Sequence, residues 1–158
     1  MKKMPKNWIW SIAIAIVVCA TGIAMAEETI YLNKKNPNDW SYILDGSWGE
    51  LTYNKAGDET TFAFKGQGLT PNTEYTLIYY PDPAPGDGLI CIGSAKADAT
   101  GEVNLGGVVT GTLPRSYDEN NGAKFWLAPS SDLDCAAQKF IDVNYDKYLF
   151  ENTRPVLH

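Results

Sequence analysis

The chain has 158 residues, with 13 Lys+Arg, 19 Asp+Glu and one His. That length is a prior for one domain with a real core, and 44% hydrophobic against 20% charged residues excludes both a disordered acidic tail and a multi-span membrane protein. The single His is His158, so the body of the chain lacks the His that a Ser-His-Asp triad, a Cys-His pair or a His-built zinc site requires.

The first six residues carry Lys2, Lys3 and Lys6 and no acid. An apolar run follows from Trp8 to Ala26 and closes on Ala24-Met25-Ala26. Basic start, apolar middle and A-x-A end are the three parts of a secretory signal peptide, with cleavage expected after Ala26. The run also just meets the length needed to span a bilayer, so the alternative is an uncleaved anchor, the one case in which a membrane is a partner. A lipoprotein would need a small residue before Cys19, where Val18 stands. The expected organisation is a signal peptide over 1–26 and one domain over 27–158. Because the leader holds three lysines and no acid, its loss takes the formal net charge from −6 to −9. A surface so acidic repels nucleic acid and anionic lipid, and no nucleic-acid partner is expected. Cys19 leaves with the leader. Cys91 and Cys135 remain, and two cysteines in an exported chain are expected to pair. Two free buried thiols are the alternative.

Past Ala26 no long segment has helical periodicity; apolar residues alternate in short runs between turn residues. Thr29 to Asn33 reads as a first strand, Asn36 to Asp39 as a turn, and Trp40 to Leu44 as a second run ended by Asp45-Gly46. Trp48 to Tyr53 and Glu59 to Lys65 read as a hairpin around the polar loop 54–58. Thr73 to Tyr80 is bulky on both faces, as a central strand is. It stops at Pro81, where three prolines at alternate positions make a stiff loop. Leu89 to Ala95 and Glu102 to Thr110 flank a turn at 97–101. Ala123 to Ala128, Lys139 to Val143 and Tyr148 to Glu151 are the last strands, with a turn from Pro129 to Cys135. Eight to ten strands at this spacing predict an all-β fold: one antiparallel, immunoglobulin-like Greek-key sandwich.

The most specific local motif is Gly68-Leu69-Thr70-Pro71-Asn72-Thr73-Glu74-Tyr75. Leu69 can plug the core at a sheet edge, Pro71 stiffens the crossing loop, and the Tyr75 hydroxyl can reach back to the loop backbone. Leu69-x-Pro71-x-Thr73-x-Tyr75 resembles the tyrosine corner of fibronectin type III domains, over about ten residues. A wider resemblance is to small exported microbial, often archaeal, β-sandwich proteins. It is carried by Trp48-Gly49, the corner itself, Leu77 to Pro83, Gly88 to Gly93, Asp98 to Gly101 and Gly122 to Leu127. That resemblance implies a fold and an exported location, and no activity.

The Pro-rich loop carries Tyr79, Tyr80, Asp82 and Asp87. A stiff loop with aromatics and acids can bind at low ordering cost, which makes Tyr80, Asp82 and Asp87 the candidate ligand-binding residues. Asp98/Glu102, Asp118/Glu119 and Asp132/Asp134 are acid pairs that a calcium ion could use, but none matches an EF-hand loop. Trp40, Trp48 and Trp126 could stack on sugars, or simply pack the sandwich. No carboxylate pair is singled out for glycoside hydrolysis. The expectation is therefore an exported cell-surface or extracellular protein with a structural, adhesive or interaction role, no catalysis, no metal and no cofactor. Its partner would be a protein or a glycan at the cell surface. A secreted glycan-binding module is the alternative, and a carboxylate-based hydrolase a distant third.

Overall fold

Alternation of apolar and polar residues sets the strands directly. In Glu59–Gln67, Phe62 and Phe64 are buried while Thr61, Ala63 and Lys65 are exposed. The computed structural model describes residues 27–81, 88–113 and 123–152. It contains β1 (Glu28–Lys35), β2 (Tyr42–Ala56), β3 (Glu59–Gln67), β4 (Glu74–Pro81), β5 (Ile90–Lys96), β6 (Val103–Thr110), β7 (Ala123–Pro129), β8 (Leu133–Asp134), β9 (Lys139–Phe140) and β10 (Leu149–Glu151). Two single 3-10 turns, Ser130–Asp132 and Tyr145–Lys147, are the helical segments among the described residues. The expected leader over 1–26 lies outside them; within them no helix is long and apolar enough to cross a membrane.

The two runs separated in the sequence at Asp45-Gly46 belong to one long strand. The β1 ladder jumps from Asn33 opposite Trp48 to Lys34 opposite Ile43, so residues 44–47 bulge out of β2.

Eight strands form one sheet in the order β5-β4-β7-β10-β1-β2-β3-β6, every pairing antiparallel; β8 and β9 make a separate two-residue ladder. The sheet curls until its two end strands, β5 and β6, which follow each other in the chain, pack together. At that seam a methyl on Gly107 would strike the carbonyl oxygen of Ile92, and one on Gly93 the carbonyl oxygen of Gly106. The all-β antiparallel expectation is met. The immunoglobulin-like pair of separate sheets gives way to a continuous, nearly closed one, and the physical reason is β10. Its three residues pair with β7 on one side and β1 on the other, sewing β5-β4-β7 to β1-β2-β3-β6.

The curled sheet encloses the main core. Leu32, Leu51, Phe64, Leu77, Phe125 and Leu127 are fully buried there. A second core lies outside the sheet. Residues 130–148 fold back over the outer face of β4, β7 and β10 and trap Ile78, Tyr80, Leu89, Trp126, Tyr148 and Phe150. This layer is why β4 is bulky on both faces. The Cys91–Cys135 disulfide fastens it to β5, with Cα atoms 5.7 Å apart. The Tyr148 hydroxyl donates to the buried Asp132 carboxylate at 3.0 Å, and Thr76 on β4 shares a hydrogen bond of 2.7 Å with the Ser130 hydroxyl.

Candidate functional site

The crossing from β3 to β4 passes over the β5–β6 turn. Leu69 N–H donates to the Gly101 carbonyl, Asn72 N–H to the Ala97 carbonyl, and Ala97 N–H to the Thr73 carbonyl. The Tyr75 hydroxyl accepts from the Thr70 N–H at 3.2 Å, with the Tyr75 ring and Leu69 both buried. Leu69 and Tyr75 therefore occupy core positions. Pro71 is exposed on the turn beside Asn72, whose φ of +60° is the left-handed conformation that asparagine tolerates.

Of the residues expected to bind a ligand, Tyr80 alone lies among the described residues. Tyr80 is 8% exposed and packs on Trp126 and Phe140 at ring-centroid distances of 5.1 and 5.9 Å. Its ring belongs to the outer core, not to an exposed loop. Asp82 and Asp87 lie outside the described residues, as do Asp118 and Glu119. Of the described acids of the other pairs, Asp98, Asp132 and Asp134 have local tasks. Asp98 accepts from the Thr100 hydroxyl and from the Thr100 and Glu102 N–H groups. These bonds hold its carboxyl below the usual carboxylate range. Asp134 accepts from the Ala137 N–H in the β8–β9 turn. Among the described residues no three of His, Cys, Asp and Glu gather as a metal-binding group.

The three tryptophans separate cleanly. Trp126 is buried in the outer core. Trp40 is half-exposed, but its ring lies against Tyr145 and Phe150 at 5.2 and 5.6 Å. Trp48 is 36% exposed and stands on the outer face of β2. This is the half of the sheet that residues 130–148 do not cover.

Register fixes what surrounds Trp48. Direct partners across an antiparallel ladder share a face, with side chains about 5 Å apart. One row across the strands reads Tyr31, Glu50, Lys65, Asn104; the next reads Asn33, Trp48, Gln67, with Glu102 just before β6. The Tyr31 and Trp48 rings meet diagonally at 6.3 Å. A shallow groove of about 250 Å³ runs between Trp48, Glu50, Lys65, Gln67, Glu102 and Asn104. The β2 bulge precedes Trp48 directly and carries Leu44, which is 81% exposed. Behind Trp48, Ser47 donates its hydroxyl to the Gly68 carbonyl at 2.6 Å, tying the bulge to the crossing loop. As a binding residue, the sequence offered Trp48 only alongside Trp40 and Trp126. The polar partners become visible once the register is known.

Comparison with protein families, with curated proteins and with solved structures returned no match.

Proposed function

We propose that this protein is an exported, extracytoplasmic interaction protein that works by binding and carries out no reaction, and that its binding face is the outer surface of β1, β2, β3 and β6 around Trp48. One observation carries the reading. Among the described residues, the large sheet face that residues 130–148 leave uncovered bears exposed aromatic rings flanked by amide and carboxylate side chains, on strands whose backbones are already paired on both sides for β1, β2 and β3. Rigid strands holding such groups in register make a preorganised surface. Export is supported by the leader-like segment at residues 1–26, by the disulfide, and by the acidic balance of the remaining chain. Resemblance to small exported microbial sandwich proteins points the same way.

The test is cosedimentation of the exported protein with envelopes of the cells that make it. Wild type should pellet, and Trp48→Ala, folded by near-ultraviolet circular dichroism, should stay in the supernatant. Equal pelleting of the two would remove the face from the proposal. A wild type that never pellets would remove the surface role.

A further inference from the structure

We infer that the Trp48 groove takes a neutral, hydroxyl-rich polysaccharide, laid across the strands with one sugar ring stacked on the indole. This deepens the proposed binding role and rests on it.

Four features narrow the ligand class. The first is shape: about 250 Å³ falls just below the range of roughly 300–1,000 Å³ typical of clefts that engulf small molecules. The groove is shallow and lies on a sheet face, so a chain can pass over it. The second is the pairing of chemistries. An indole offers a flat apolar surface to the C–H face of a pyranose. Asn33, Gln67 and Asn104 each offer both a donor and an acceptor, which is what a hydroxyl group needs from its partner. The third is charge. Glu50 lies directly opposite Lys65, and Glu102 adds a further negative charge. The face is therefore locally acidic, on a chain of formal net charge −6. Polyuronates, sulfated glycans and nucleic acids are disfavoured at such a surface. The fourth separates glycans from peptides. Extended peptides bind by adding a strand to an open edge, but Trp48 and Gln67 sit on strands with a neighbour on each side. Recognition there runs through side chains alone.

The neighbouring groove at the barrel end, lined by Lys34, Ser47, Thr70, Asp146 and Lys147, is smaller, about 140 Å³, and offers no exposed aromatic ring.

The experiment is affinity electrophoresis of the exported protein in gels containing soluble amylose, a mixed-linkage β-glucan, galactomannan or polygalacturonate. At least one neutral polymer should retard wild type. Trp48→Ala should weaken that retardation about tenfold, with Trp40→Ala unaffected. Retardation by polygalacturonate and by no neutral polymer overturns the ligand class. Retardation that survives Trp48→Ala overturns the site. If no polymer retards the protein, yet envelope cosedimentation still depends on Trp48, the glycan assignment is wrong while the binding face stands.

Discussion

Gly49 and Gly66 stand opposite each other across β2 and β3, and the ring of Phe64 fills the space their side chains would take. The inner side of the Trp48 face is thus a single aromatic ring laid over two bare backbones. Gly49→Ala should force Phe64 out of place and cost about 1–3 kcal/mol. Trp48→Ala, one position along and on the outer face, should cost less, about 0.5–1.5 kcal/mol for the lost contact with the Tyr31 ring. Denaturant melts of the two variants read this difference, and separate stability from binding at adjacent positions.

Two tyrosines with similar burial should differ sharply. Tyr75→Phe removes only the acceptor of the Thr70 N–H and should cost about 1 kcal/mol. Tyr80→Ala empties a position between Trp126 and Phe140 and should cost about 3–5 kcal/mol. The same melts decide the order.

Reduction should loosen the outer layer. The disulfide closes a loop of 44 residues, for which chain entropy gives about 4 kcal/mol. Cys135→Ala should lower the unfolding midpoint accordingly, and peptide mapping of unreduced native protein should find Cys91 and Cys135 linked. Two free thiols there would refute the bond.

Alkaline pH should unfold the protein. Burial pushes the Tyr79 hydroxyl up to about 12; Tyr53 and Tyr148 are raised further, by burial and then by donation to Glu28 and Asp132 respectively. An unfolded chain releases these protons near pH 10. The folded state holds them to higher pH, so their contribution is intact below pH 10 and shrinks above it, being lost for Tyr79 as pH rises through about 12 and for Tyr53 and Tyr148 higher still. Melts at pH 8, 10, 11 and 12, followed by tyrosinate absorbance, should show a midpoint that is level and then falls. A midpoint unchanged to pH 12 would contradict the burial of these hydroxyls.

Local patterning made most strands legible, because each needs only its own alternation and a turn residue at its end. The turn at Asp98–Gly101 and the Leu69–Tyr75 crossing are examples. The features that failed to show depend on distant partners. Nothing near Asp45-Gly46 says that two runs share one strand; the pairing of Asn33 with Trp48 and of Lys34 with Ile43 decides that. Tyr80 and Trp126 look as available as Trp48 until residues 130–148 are seen to cover them. The continuity of the sheet rests on three residues, Leu149–Glu151, too few to carry a period of their own.

The pairing of Leu32 with Glu151 sets when this molecule can finish folding. A chain delivered amino end first holds β1 long before β10 exists, and until then β5-β4-β7 and β1-β2-β3-β6 lack the strand that joins them. Contacts so remote in sequence form slowly, because the intervening loop must close before they reward it. The ladders that join the two halves therefore cannot form until residues 149–151 have been delivered. Under the export proposed above, that order of delivery would leave the two halves of the sheet unjoined until the carboxy-terminal strand has crossed.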